Sequence, residues 1–92
     1  MAGQNKKSLK ALAVDIAEGY LSINPLYLKP FDEESLKSLY HFVTRVQIEI
    51  RIAPFPYNEI ELIRKRNLQL QRLYAATTVI KNFAREKKYK VF

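Results

Sequence analysis

Apolar residues recur at helical spacing through three stretches of this 92-residue chain, and prolines separate the stretches. In the first, Leu9, Leu12, Ala13, Ile16, Ala17, Tyr20 and Ile23 follow the three-and-four rhythm that lines one face of an α-helix. The spacing predicts a helix over 5–23. Gly19 lowers helix propensity by about 1 kcal/mol against alanine, so it either weakens that helix or ends it early. Asn24-Pro25 and Lys29-Pro30 then bracket a short linker, Asn24 to Phe31.

The second stretch predicts a helix over 32–52. Asp32 suits an N-cap, Glu33 and Glu34 fall where the helix dipole favours anions, and Phe31 and Leu36 stand at hydrophobic-staple positions. Leu36, Leu39, Tyr40, Val43, Val46 and Ile50 share an arc of about 120°, with Glu34, Lys37, Ser38, His41, Arg45 and Glu49 opposite. A competing pattern runs through Val46-Gln47-Ile48-Glu49-Ile50-Arg51-Ile52, which alternates apolar and polar as a half-buried strand does. A strand at 45–52 needs a partner, either the tail Tyr89 to Phe92 or a second copy across a dimer. The helical pattern is the longer of the two, and it also sets Arg45 and Glu49 in an i,i+4 pair.

The third stretch predicts a helix over 58–88, about 45 Å long at 1.5 Å per residue. Asn58 with Glu61 has capping-box spacing, and Tyr57 with Leu62 fits a staple. Its main apolar stripe is Leu62, Ile63, Leu70, Leu73, Tyr74, Thr77, Ile80 and Ala84. A thinner stripe lies roughly opposite: Leu68, Ala75, Val79 and, at its edge, Phe83. Two apolar faces imply contact on two sides, from the flanking helices or from a partner chain. Arg66 falls within the main arc between Ile63 and Leu70. It needs a carboxylate, with Glu49 and Glu61 as candidates, a carbonyl, or a path for its head to reach water.

The fold expected is therefore all-α: one domain over 1–92, a hairpin-like three-helix bundle with a long C-terminal helix. The alternative is an α+β fold with the strand at 45–52 pairing across a dimer. A chain this short supports one modest core, and such domains often gain core by oligomerising. A symmetric homodimer is the favoured assembly.

Charge changes the picture in the last third. Residues 1–31 carry four Lys against Asp15 and Glu18, a net +2. Residues 32–61 carry three bases against six acids, a net −3, and residues 62–92 carry nine bases against Glu86, a net +8. Acids at helix starts and bases at the last helix end complement the dipoles. That leaves Arg64, Lys65, Arg66 and Arg72 unexplained. Arg64, Lys65, Arg72, Lys81, Arg85, Lys87, Lys88 and Lys90 are the candidate polyanion-binding residues, with Phe83, Tyr89 and Phe92 interleaved among the last of them. They do not form one line around the helix, and no helix-turn-helix, zinc-finger, RRM or KH pattern accompanies them.

The chemistry available is thin. The absence of cysteine excludes thiolate metal sites and thiol nucleophiles, and one histidine excludes a multi-His metal site within the chain. No phosphate-loop, dinucleotide, nucleophile-elbow or zinc-protease pattern occurs. His41 falls on the polar face of the second helix with only Glu34 in loose reach. The acid clusters, Asp32-Glu33-Glu34 and Glu59 with Glu61, coincide with helix starts. The expectation is a non-catalytic cytoplasmic protein, with no metal or cofactor, that acts as a self-associating interaction or assembly module. Leu68, Ala75, Val79 and Phe83 are its expected partner surface. A small basic nucleic-acid-binding protein using the C-terminal helix is the alternative.

Overall fold

A computed structural model describes residues 8–91. It contains four helices in chain order: α1, Leu9–Glu18; α2, Pro25–Leu28; α3, Glu33–Ile52; and α4, Ile60–Lys87. The fold is all-α, and no strand occurs among the described residues. Residues 45–52 are the last two turns of α3. The expected first turn at residues 5–7 lies outside the described residues, as does Phe92.

Helix α1 is shorter than its apolar rhythm predicts. The Ser8 hydroxyl accepts the Ala11 N–H at 3.1 Å and caps its start. Gly19, at φ 86°, ends it. The Gly19 N–H donates to the Ile16 carbonyl and the Tyr20 N–H to that of Asp15, the paired bonds of a Schellman motif. The stop belongs at residue 18, not 23, because glycine enters the left-handed region without the Cβ clash that other residues meet there. Ile23 still reaches the core, carried there by the non-helical chain that follows.

The segment expected as linker contains one helical turn, α2. The Asn24 side chain accepts the Tyr27 N–H at 2.8 Å, and Pro25 occupies the first helical position, where its missing N–H has no consequence. The turn sinks Leu28 completely into the core. Helix α3 starts as predicted. The Asp32 carboxylate accepts the Ser35 N–H at 2.8 Å, and the Ser35 hydroxyl accepts the Asp32 N–H at 3.1 Å. It stops at Ile52 because the next residue, Ala53, precedes Pro54 and takes an extended conformation.

Helix α4 starts later than Asn58. The Pro56 carbonyl takes the Glu59 N–H in a turn, so Glu59 becomes the N-cap and makes no side-chain cap bond. Glu61 pairs with Arg64 at 3.2 Å instead of completing a capping box. At the far end Lys88, at φ 62°, takes the left-handed position and closes a second Schellman motif through Tyr89. The chain then folds back over the start of α3. The Lys90 backbone N–H donates to a Glu33 carboxylate oxygen at 3.0 Å, and Val91 is buried.

Helices α1, α3 and α4 pack against one another, and α2 packs on α4. Leu28, Leu36, Leu39, Val43, Leu73 and Ile80 are the largest side chains fully removed from solvent. Full burial of one such side chain stabilises the fold by about 1.5–3 kcal/mol. The molecule is elongated, 44 × 29 × 19 Å with a radius of gyration of 14.1 Å. A compact chain of this length would have a radius of about 12 Å.

Candidate interaction surface

The elongation has a definite source. On α3 the last buried side chain is Gln47, and on α4 the first is Leu73. Residues 48–72 form an arm, the end of the α3–α4 hairpin, whose hydrophobic contact with the core is half-buried Ile50 and which contributes no fully buried hydrophobic side chain. Helix α1 is too short to cover it. The C-terminal end of α1 meets α4 at its middle, where Gln69 donates to Glu18 at 3.0 Å and Arg72 donates to the Ala17 carbonyl at 3.0 Å. Ten residues of α1 span about 15 Å, against about 42 Å for the 28 residues of α4.

The arm is nevertheless apolar. Ile48, Ile52, Phe55, Tyr57, Ile60, Leu62 and Leu68 are all exposed, with Ile52 at 76%, Tyr57 at 80% and Ile60 at 69%. Single exposed hydrophobics are ordinary, whereas this many in one short segment make it a candidate interaction surface. The Phe55 and Tyr57 rings lie 4.9 Å apart in the loop, and the Arg66 guanidinium sits 5.1 Å from the Phe55 centroid. Arg66 Nε is buried with no acceptor. Neither carboxylate expected for Arg66 takes it: Glu49 lies 3.9 Å from Arg45, and Glu61 pairs with Arg64. Both of those pairs are exposed and contribute little to stability.

Helix α3 explains part of the arm. The alternation at 46–52 is helical after all: Val46 is buried and Ile50 half-buried, while Ile48 and Ile52 are thrown onto the outer face. Sequence reasoning left these two without a surface. The signal that could have found them was their position off the helical arc.

The second stripe of α4 does not form one surface. Leu68, 41% exposed, lies on the arm. Ala75 and Val79 line a cavity of about 370 Å³ between α4 and the chain that follows α1, together with Ile16, Leu21, Ile23 and Arg72. Phe83, 6% exposed, belongs to the core, because the start of α3 and the returning tail are packed around the end of α4.

The basic residues are also dispersed. Arg72 is half-buried and spent on the end of α1, with its guanidinium against Gly19. Arg64 pairs with Glu61, and Arg85 donates to the Asn82 side chain at 3.2 Å. The Lys87 ammonium lies 5.8 Å from the Phe83 ring centroid. Lys88 occupies the strained cap, and Lys90 follows it on the folded-back tail. Lys81 is half-buried and has an interaction of its own, while Lys65 is exposed on the arm. His41 is exposed and packs edge-on against Phe42, with 5.4 Å between ring centroids. Among the described residues no group of three or more His, Asp or Glu is placed to hold a metal ion, and no helix is long and apolar enough to cross a membrane. No protein-family model, curated protein or solved structure matches the chain.

Proposed function

We propose that this protein is a non-catalytic assembly module that self-associates, with a dimer as the favoured state, and that the α3–α4 arm is its docking surface. The single observation that carries this is the uncovered apolar arm: exposed Ile48, Ile52, Phe55, Tyr57, Ile60 and Leu62 on a segment that adds no fully buried hydrophobic side chain to the chain's own core. Leaving that surface in water forgoes stabilisation that a second molecule can supply.

Size-exclusion chromatography with light scattering, recorded at 260 and 280 nm, tests it. The expected result is a concentration-dependent multiple of 10.8 kDa with little absorbance at 260 nm. Raising the salt should not release the association, because burial of apolar surface carries it and salt also screens the repulsion between copies that each carry +7. The second function proposed is polyanion binding through the basic residues of α4 and the tail. It predicts the reverse: co-purifying nucleic acid, released steeply as salt rises. A monomer at high protein concentration, free of nucleic acid, would remove both self-association and tight polyanion binding.

A further inference from the structure

We infer that two copies of this chain join through the first turns of α4, antiparallel about a twofold axis passing between Leu62 and Ile63, so that Glu59 of each copy meets Arg66 of the other. This rests on the self-association proposed above and specifies how it occurs.

Glu59 and Arg66 are seven residues apart at the start of α4. Seven residues make nearly two full turns, which returns them to within about 20° of one another, about 10 Å apart along the axis. Leu62 and Ile63 flank that line between them. The strip therefore reads acid, apolar, apolar, base. Turned end for end, it becomes its own complement: Glu59 faces Arg66, and Leu62 faces Ile63. A twofold interface demands this reciprocity, in which residue i meets j while j meets i.

Neither end of the strip has a counter-charge. Arg66 is half-buried against the Phe55 ring, and among the described residues no carboxylate pairs with it. Glu59 caps α4 through its backbone and leaves its carboxylate outside the cap. A half-buried cation without a counter-charge is costly, and a carboxylate brought by the neighbour offsets that cost. A foreign partner would have to bring a carboxylate and a cation at matching separation, whereas a second copy carries both. The rest of α4 cannot pair in this way. Arg72, Lys81, Arg85 and Lys87 outnumber Glu86, so two copies laid together there would set like charges against each other.

Charge reversal tests the register by sedimentation equilibrium, with circular dichroism as the check on folding. In Glu59→Arg the contact becomes base against base, and in Arg66→Glu acid against acid. Each single variant should weaken dimerisation by at least about tenfold. The double variant E59R/R66E should restore it. An equimolar mixture of the two single variants should form a heterodimer that neither forms alone. Glu86→Arg, on the exposed C-terminal part of α4, should change nothing. Glu59 is exposed and its cap is made by backbone, so Glu59→Arg keeps its fold and decides by itself if Arg66→Glu does not. A dimeric wild type indifferent to Glu59→Arg overturns this register while leaving self-association standing. A wild type that stays monomeric overturns both.

Discussion

Lys88 and Gly19 solve the same problem with different side chains. Each ends a helix in the left-handed region, at φ 62° and φ 86°. For a residue with a Cβ that conformation costs about 1–2 kcal/mol, which glycine largely avoids. Lys88→Gly should therefore stabilise the protein by about 0.5–1 kcal/mol, read as a higher urea midpoint with unchanged slope. Gly19→Ala should destabilise it by about 1–2 kcal/mol, because the new Cβ also meets the Arg72 guanidinium and disturbs its bond to Ala17. That Cβ would lie 2.9 Å from Arg72 Cζ. Asp32 carries the pH dependence visible at this scale. The Ser35 backbone N–H, then its hydroxyl, hold the Asp32 carboxyl below its ordinary value. Its contribution is present above the unfolded value of about 4 and is lost as pH falls through the folded value. Asp32→Ser retains a capping oxygen but does not titrate. Its stability should fall less steeply below about pH 4 than that of the wild type, measured by chemical denaturation across the acid range.

At the scale of elements, the chain divides into a packed bundle and an arm attached to it. Leu73 and Ile52 lie on opposite sides of that division, fully buried and 76% exposed. Leu73→Ala should cost about 2–5 kcal/mol, the usual range for a buried leucine. The pair Ile52→Ser and Ile60→Ser should change monomer stability by less than about 0.5 kcal/mol each, as surface substitutions do. The same pair should weaken self-association. Thermal melts of dilute protein beside light scattering of concentrated protein separate the two effects. The one-turn helix α2 shows why element identity and element function differ. Asn24-Pro25 was legible as a break, yet the same residues cap and start a helix. What matters in it is Leu28, and no periodicity can emerge from a four-residue turn.

For the whole molecule, an uncovered arm has a dynamic signature. Amides in the arm's helical turns, at 48–52 and 60–70, carry less overlying packing than those of 73–84 and should exchange with solvent faster in dilute protein. In concentrated protein the arm should gain protection while the bundle changes little. Hydrogen exchange read by mass spectrometry at two concentrations measures this directly. Equal protection of arm and bundle at high dilution would contradict the picture of an arm that only a second molecule covers.

Much of this architecture was legible along the chain. The apolar arc of α3, its Asp32 cap, the stop before Pro54 and the length of α4 follow from rules that act within a few residues, where caps, proline and 3.6-residue spacing compete on equal terms. Short-range rules also made α3 ambiguous at 46–52, since alternating residues suit a strand as well as two faces of a helix end. Tertiary structure decided the rest. Whether Gly19 weakens or ends α1 depends on the turn that carries Ile23 and Leu28 into the core. Phe83 became core because the start of α3 and the returning tail pack around the end of α4, and Leu62 became surface because the apolar stripe of α4 runs past the point where α1 stops. Sequence periodicity determines which residues share a side of a helix. Only the lengths and crossing points of the neighbouring helices determine how far along its axis that side is covered.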